Sequence, residues 1–330
     1  MTPDAGTPAR HQPVMLDRCV DLLAPALENP GAVAIDGTLG MGGHSEAILE
    51  RCPHATVVGI DRDIEAITLA SARLAPFGDR FIAIQTEYDN IAGALALAGA
   101  THADAVLLDL GVSSLQIDEA ERGFSYAQDA PLDMRMNRDD PTTAADLLRD
   151  ASEQEIARIL REYGEERFAP RIAKEIVRRR ASSPVTRSGE LVDVVRACIP
   201  AALRAKGGNP AKRTFQALRI AVNRELEVLE RAVPAALEAT RVGGRVVVMA
   251  YHSLEDRMVK QAFAAGVNTQ APPGLPVIPD DDQPYLRLLT RGAEKASAAE
   301  AESNPRSQSV RLRAVERTRL TPASRRGRGS

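Results

Sequence analysis

The sequence predicts an α/β fold: a doubly wound, largely parallel sheet, interrupted once by an all-α insertion. Three observations predict it. Short apolar runs at residues 32–36, 56–61, 80–85 and 103–110 alternate with helix-like runs, the grammar of repeated βα units. These runs are continuous (V-V-G-I, F-I-A-I, A-V-L-L) rather than alternating, which suits strands buried on both faces. From about residue 115 to 213 strand-like runs stop and helices take over, until a fifth buried strand is expected at 245–250.

Residues 1–10 read as a flexible tail, and residues 16–23 as a helix ended near Pro25. The run 32–36 ends in Asp36 and passes through Gly37, Gly40, Gly42 and Gly43 into a helix from about Ser45. Helices are expected at 45–51, 64–74 and 90–98. In the insertion they are expected at 144–148, 153–162 (opened by a Ser152/Glu155 capping box), 169–180 and 189–199, where Pro200 closes the last. Residues 214–233 read as one long amphipathic helix stopped or kinked at Pro234. Gly243-Gly244 reads as a turn before the fifth strand, 254–263 as a helix and 266–284 as a loop. Two alternating strands, 285–290 and 310–317, flank a low-complexity stretch at 294–304, and 318–330 reads as a basic, disordered tail. The expected domains are thus 11–114 with 214–317, and the insertion 115–213.

The 330 residues allow one large or two ordinary domains. Hydrophobic content is 44% and charged content 26%, normal for a globular chain. Aromatic residues make up only 3%, with no Trp, so the core must be aliphatic and stacking platforms few. A net charge of −3 excludes a global basic field, but eight Arg against one Glu between Pro305 and Ser330 leave a local one. Cys19, Cys52 and Cys198 are far apart, which argues against a disulfide framework or zinc site and fits a reducing compartment. With no apolar signal core and no membrane-length apolar run, the expectation is a cytoplasmic protein.

Strand, glycine turn and helix at 33–45 form a geometry that can bring backbone N–H groups to a nucleotide-like ligand. A plain structural turn is the alternative, since the spacing is not G-x-G-x-x-G. Asp61 ends the second strand, 19 residues after Gly42, where a carboxylate can accept both ribose hydroxyls of an adenosine. The alternative is a cap for the next helix or a surface acid. Asp109 ends the fourth strand. In such sheets ligands sit at the carboxyl ends of the strands, where the strand order reverses, so Asp36, residues 40–44 and Asp109 should converge. His252 ends the fifth strand on the same rim, with functional and structural readings both open. Lys212-Arg213 opens a helix against its dipole, which points to phosphate or to a solvated face. P-loop, G-x-S-x-G and H-E-x-x-H motifs are absent, which disfavours their chemistries.

Several stretches act together as a signature: H-Q-P-V-M-L (11–16), D-G-T-L-G-M-G-G-H-S (36–45), G-I-D-R-D (59–63), L-L-D-L-G-V-S-S-L-Q-I-D (107–118), E-R-G-F-S (121–125), P-L-D-M-R-M (131–136), K-R-T-F-Q-A-L-R-I-A-V-N-R-E-L (212–226), H-S-L-E-D-R (252–257) and N-P-R-S-Q-S-V-R-L-R (304–313). The chain resembles the bacterial 16S rRNA (cytosine-N4)-methyltransferases from about His11 to Arg317. The resemblance implies a Rossmann-like class I S-adenosylmethionine-dependent methyltransferase sheet with an inserted all-α domain. It implies S-adenosyl-L-methionine as cofactor. It also implies, as substrate, a cytidine in the decoding region of 16S rRNA within the small ribosomal subunit. It places Gly42, Gly43 and His44 against the cofactor, Asp61 on its ribose and Tyr88 over its adenine, with Asp109 and Gln116 completing that site. Met41, Tyr88 and Tyr251 depart from the family pattern, the last two standing where Phe is usual.

In-line methyl transfer to N4 would draw mainly on alignment, with Asp109, Ser113 and His252 as rim candidates for chemistry. The usual amino-methyltransferase tetrad after the fourth strand is replaced by D-L-G-V-S-S. Lys212, Arg213, Arg311 and Arg313 are candidates for gripping RNA, whose target base must be presented unstacked. No metal-ligand cluster is apparent. The rivals are a methyltransferase of DNA cytosine or of a protein amine, and a nucleotide-binding regulatory module without catalysis.

Overall fold

The computed structural model describes residues 13–322, except 205–208, 270, 273 and 276. The expected tail at 1–10, and 323–330 of the expected basic tail, lie outside the described residues. The chain divides into two compact units, Met1–Gly111 with Val228–Ser330, and Val112–Glu227.

In the first unit the chain runs through α1 (Leu16–Leu23), β1 (Val33–Asp36), α2 (Gly43–Arg51), β2 (Thr56–Asp61), α3 (Ile64–Leu74), β3 (Phe81–Gln85), α4 (Ile91–Leu97) and β4 (Ala103–Asp109). These are the strands and helices that the apolar runs predict, within a residue or two. In the second unit follow α5 (Ser114–Asp118), α6 (Ala144–Asp150), α7 (Glu153–Gly164), α8 (Ala169–Arg180), α9 (Ser188–Cys198), α10 (Ala201–Arg204) and α11 (Lys212–Asn223). Ser152 caps α7 by accepting from the Glu155 N–H at 3.1 Å. The unit has its own core, in which Ile156, Leu160, Ile172, Ile176, Leu191, Val195 and Leu218 pack together. No strand interrupts it among the described residues. The helix opening at Lys212 packs within this unit.

One expected element is two. The long helix breaks at Arg224, which sits in the left-handed region (φ 52), between α11 and α12 (Glu225–Ala239). The buried Asn223 explains the break. Its amide donates to the Met134 and Arg219 carbonyls and accepts from the Met136 N–H, competing with helical continuation. Pro234, expected to stop or kink the helix, lies inside α12. Burial of Val233, Ala236 and Leu237 beside it outweighs a proline cost of about 3 kcal/mol.

The chain then returns through β5 (Thr240–Ala250), α13 (Ser253–Val267), β6 (Leu286–Leu288), α14 (Ala298–Ser303) and β7 (Arg311–Arg317). Gly243-Gly244 lies inside β5 rather than before it. Gly243 has φ 86, and a Cβ on Gly244 would lie 2.7 Å from the Asp104 carbonyl. The register with β4 shifts at this point, as a bulge requires. The expected low-complexity stretch contains α14, capped by Ser297. Of the expected basic tail, residues 318–322 are described, and they follow directly on an anchored strand end. Arg317 is buried and donates to the Glu238 and Thr240 carbonyls, while the Thr318 N–H donates to Tyr285.

The seven-stranded sheet has the order β3-β2-β1-β4-β5-β7-β6. β1 to β5 are parallel; β7 is antiparallel to both β5 and β6. This is the Rossmann-like class I methyltransferase sheet. Its central strands bury both faces. Ala105 and Leu107 face the side covered by α1 and α2, and Val106 and Leu108 the side covered by α4, α12 and α13. That division explains the continuous apolar runs. The strand order reverses between β1 and β4, where ligands bind in such sheets. No described helix is long and apolar enough to cross a membrane.

Candidate functional site

The turn after β1 is pinned to its neighbours from both sides. Gly37 N–H donates to the Leu107 carbonyl of β4, and Leu39 N–H to the Ile60 carbonyl of β2. Thr38 Oγ1 accepts from the Asp109 N–H at 2.6 Å. Asp36, buried at the strand end, accepts from Ser45 Oγ at 2.7 Å and from the Thr38 N–H. The turn and the first turn of α2 are therefore one hydrogen-bonded piece.

Glycine is needed at two places. Gly42 precedes α2 with φ 76, and a Cβ on Gly43 would lie 2.4 Å from Pro13. The N-cap Gly42 makes no side-chain cap for α2, which leaves its first backbone N–H groups to another acceptor, as at anion-binding helix starts.

His44 Nε2 lies 3.1 Å from the Val14 carbonyl. A carbonyl only accepts, so Nε2 carries the proton, and burial pushes this imidazole's pKa down. Nδ1 is then an acceptor, and it stands 3.8 Å from Asp109 Oδ2. Two acceptors that close call for a donor between them.

Asp109 Oδ1 accepts from the Tyr251 hydroxyl at 2.7 Å. Burial pushes the Asp109 carboxyl up to about 7 against the opposing effect of that bond, although a quarter of its side chain reaches solvent. Glu255, itself buried, fixes the turn after β5 by accepting from the Tyr251 and His252 N–H groups at 2.8 and 3.2 Å.

Asp61, at the tip of β2, accepts from the Gly40 N–H at 2.8 Å and from the Asp63 N–H at 2.9 Å. Burial pushes its carboxyl up to about 6. It thus ties the glycine turn to β2, while Asp63, not Asp61, caps α3. Tyr88 follows β3, half-buried, with its Cβ 3.5 Å from where a Gly37 Cβ would stand.

The structure brings Asp36, Gly42, Gly43, His44, Asp61 and Asp109 to the carboxyl edge of β1, β2 and β4. His252 is the N-cap of α13, with Nδ1 3.5 Å from the Glu255 N–H and Nε2 3.1 Å from Glu255 Oε1. Ser113 and Gln116 belong to the second unit, where they form a reciprocal capping box for α5 at 3.1 and 3.3 Å. Lys212 and Arg213 are exposed at the start of α11. Arg311 and Arg313 both pair with Asp256, and only Arg311 keeps much exposure.

Sequence reasoning passed over the roles of Thr38, Ser45, Tyr251 and Glu255. Thr38 and Ser45 stand inside the quoted glycine signature, and Glu255 stands three residues after His252, the spacing of a capping box. Tyr251 registered only as a departure from Phe; the hydroxyl that distinguishes it is the group that reaches Asp109.

A ribosomal RNA small subunit methyltransferase H from Beutenbergia cavernae is 62% identical over 97% of this chain and 96% of its own length. Proteins of the same name from Nocardioides sp. and Kocuria rhizophila are 60% and 57% identical over 93% and 98% of this chain. The signature of the MraW methylase family matches residues 8–318, spanning the glycine turn, the three strand-end aspartates and the H-S-L-E-D-R turn. On that match the chain belongs to the MraW methylase family.

Proposed function

We propose that this protein transfers a methyl group from S-adenosylmethionine to N4 of a cytidine in the decoding region of 16S rRNA, on the small ribosomal subunit in the cytoplasm. The observation that carries the reading is near full-length identity of 62% to a small-subunit rRNA methyltransferase. The strand-edge site supports it.

The residues present fit the cofactor. Gly42 and Gly43 let the turn pack closely against Leu74 and Pro13, the uncapped start of α2 suits a carboxylate, and the acceptor pair His44 Nδ1 and Asp109 Oδ2 suits an ammonium. Asp61 stands at the strand tip for the ribose hydroxyls, and Tyr88 for the adenine. Gln116, in the second unit, is a cofactor residue on the family resemblance alone. When bound, S-adenosylmethionine supplies an electrophilic methyl on a sulfonium.

The chain's own part is alignment and proton management. Cytosine N4 is a weak nucleophile because its lone pair is delocalised, so the site must hold the amine in line and accept a proton from it. Asp109, with a carboxyl near neutrality, is the proposed proton-handling group. His252, on the same rim, is a further candidate from a capping position, where its Nδ1 already engages a backbone N–H group, and Ser113, in the second unit, is a candidate from the sequence alone.

The test incubates the protein with methyl-labelled S-adenosylmethionine and small subunits lacking the modification, then maps the labelled base. Label on N4 of a decoding-region cytidine is expected. Label in DNA or protein, or cofactor binding without transfer, overturns the reading.

A further inference from the structure

In the all-α unit most arginines are matched by acids. Arg149 meets Asp146 and Asp150, Arg158 meets Glu155 and Glu162, Arg178 and Arg179 share Glu175, and Arg187 meets Asp129. Several exposed cations depart from this rule, Arg161 and Arg196 among them, and five of the others form one group. Arg167, Arg171, Lys174, Lys212 and Arg213 are exposed and have no acidic partner among the described residues.

These cations gather at one end of α7. That helix ends at Gly164, whose absent Cβ lets the Arg213 carbonyl approach (a Cβ would lie 2.5 Å from it). The Arg213 guanidinium donates back to the Glu165 carbonyl at 3.1 Å, so the start of α11 sits against the turn leading into α8. Arg167 lies in that turn, and Arg171 and Lys174, three apart, share a face of α8. Of the neighbouring acids, Glu162 is committed to Arg158 and Glu166 to the Phe168 N–H, while Glu165 is exposed in the same turn, leaving the cations in excess there.

The local electrostatics sharpen the point. α6, α7 and α9 carry acids in their first turns, as the helix dipole favours. α8 and α11 carry none there, and present Arg171, Lys212 and Arg213 instead. Cations held against two helix starts, without acids to offset them, suit an external polyanion. Arginines among them offer the fork that grips phosphate oxygens.

We propose that Arg167, Arg171, Lys174, Lys212 and Arg213 form a face that tracks the phosphodiester backbone of the RNA substrate, an inference that rests on the rRNA reading above.

The full-length triple variant R167Q/R171Q/K174Q tests it. Binding to unmodified small subunits and to a labelled single-stranded RNA is measured across salt concentrations, beside KM, kcat and cofactor affinity. The slope of log K against log salt is expected to fall by about 2, at ~0.7 per single-strand phosphate contact. The KM for subunits should rise on the order of tenfold, with kcat and cofactor affinity unchanged. The paired-arginine variant R149Q/R178Q should leave the slope in place. Should the triple variant not fold, Arg171→Gln and Lys174→Gln singly should each lower the slope by somewhat less than one.

An unchanged slope in the folded variants overturns the face while leaving the enzyme reading intact. An equal loss of binding to duplex DNA overturns the RNA assignment. If the parent protein methylates no rRNA, the substrate reading fails, and the RNA-binding slopes still decide on the face.

Discussion

The Tyr251 hydroxyl donates a 2.7 Å hydrogen bond to Oδ1 of Asp109, joining the end of β5 to the end of β4. That bond favours the ionised carboxylate, which burial otherwise disfavours. Tyr251→Phe should therefore raise the Asp109 pKa above about 7. If the carboxylate holds the cofactor's ammonium, binding is lost as pH falls through that pKa, and the variant's loss should begin at higher pH. Calorimetric titration with S-adenosylmethionine from pH 6 to 9 should show several-fold weaker binding at pH 7 and recovery at pH 9. Superimposable profiles would remove Asp109 ionisation from binding.

Asp109 also makes a stability prediction. Its folded-state carboxyl, at about 7, lies above the ordinary value of about 3.9. The folded state therefore binds the extra proton between these values, and stability contributed by the protonated form is lost as pH rises from about 4 to about 7. Asp109→Asn keeps an acceptor for Tyr251 and never ionises. The unliganded variant should be the more stable at pH 8, by on the order of 1–3 kcal/mol after discounting for partial solvent access. The difference should vanish near pH 4. Urea unfolding at both pH values measures it.

Replacing Gly43 by Ala sets a Cβ 2.4 Å from Pro13. Overpacking of this kind costs about 1–3 kcal/mol, and the shift would displace the start of α2. Thermal unfolding should show the loss, and cofactor affinity should fall with it.

His252 separates capping from chemistry. His252→Ala removes the cap of α13, at about 1 kcal/mol, whereas His252→Asn supplies another capping oxygen. The Asn variant should recover the parent melting temperature. A kcat loss of a hundredfold in that stable variant would place His252 in the chemistry; turnover within about threefold would confine it to the cap.

Arg317, the last residue of β7, is buried and tied to the Glu238 and Thr240 carbonyls. Arg317→Ala should lower stability by about 2–3 kcal/mol, the cost of stranding acceptors of a charged donor. The salt slope of RNA binding should not move. A reduced slope with unchanged stability would return Arg317 to the surface.

The sheet was legible because parallel strands buried on both faces leave continuous apolar runs: the first four stand within a residue or two of their expected places, and the fifth begins five residues early, at Thr240. Elements governed by a single side chain's distant partner were not. The break at Arg224 depends on Asn223 reaching Met134 and Met136, residues nearly ninety positions away. The bulge at Gly243-Gly244 depends on the Asp104 carbonyl of another strand. In the site, the strand-end aspartates followed from topology, whereas the Tyr251–Asp109 bond needed the spacing between β4 and β5. Arginine function was the least legible. Arg167 and Arg313 read alike as basic residues, and only the placement of Asp256 beside Arg313 tells them apart.

The adjacency of β4 and β5 has a consequence for birth on the ribosome. About 130 residues separate the end of β4 from the start of β5. At roughly 5–20 residues per second, the newly made β4 waits roughly 6–26 s with its outer edge unpaired. During that interval β3-β2-β1-β4 is a half-sheet with an open, aliphatic border, the kind that invites mispairing. The all-α unit, whose core is drawn from its own segment, can fold in the meantime and shorten the tether that must close. Nascent chains halted just before Thr240 should therefore be the ones that chaperones hold most tightly.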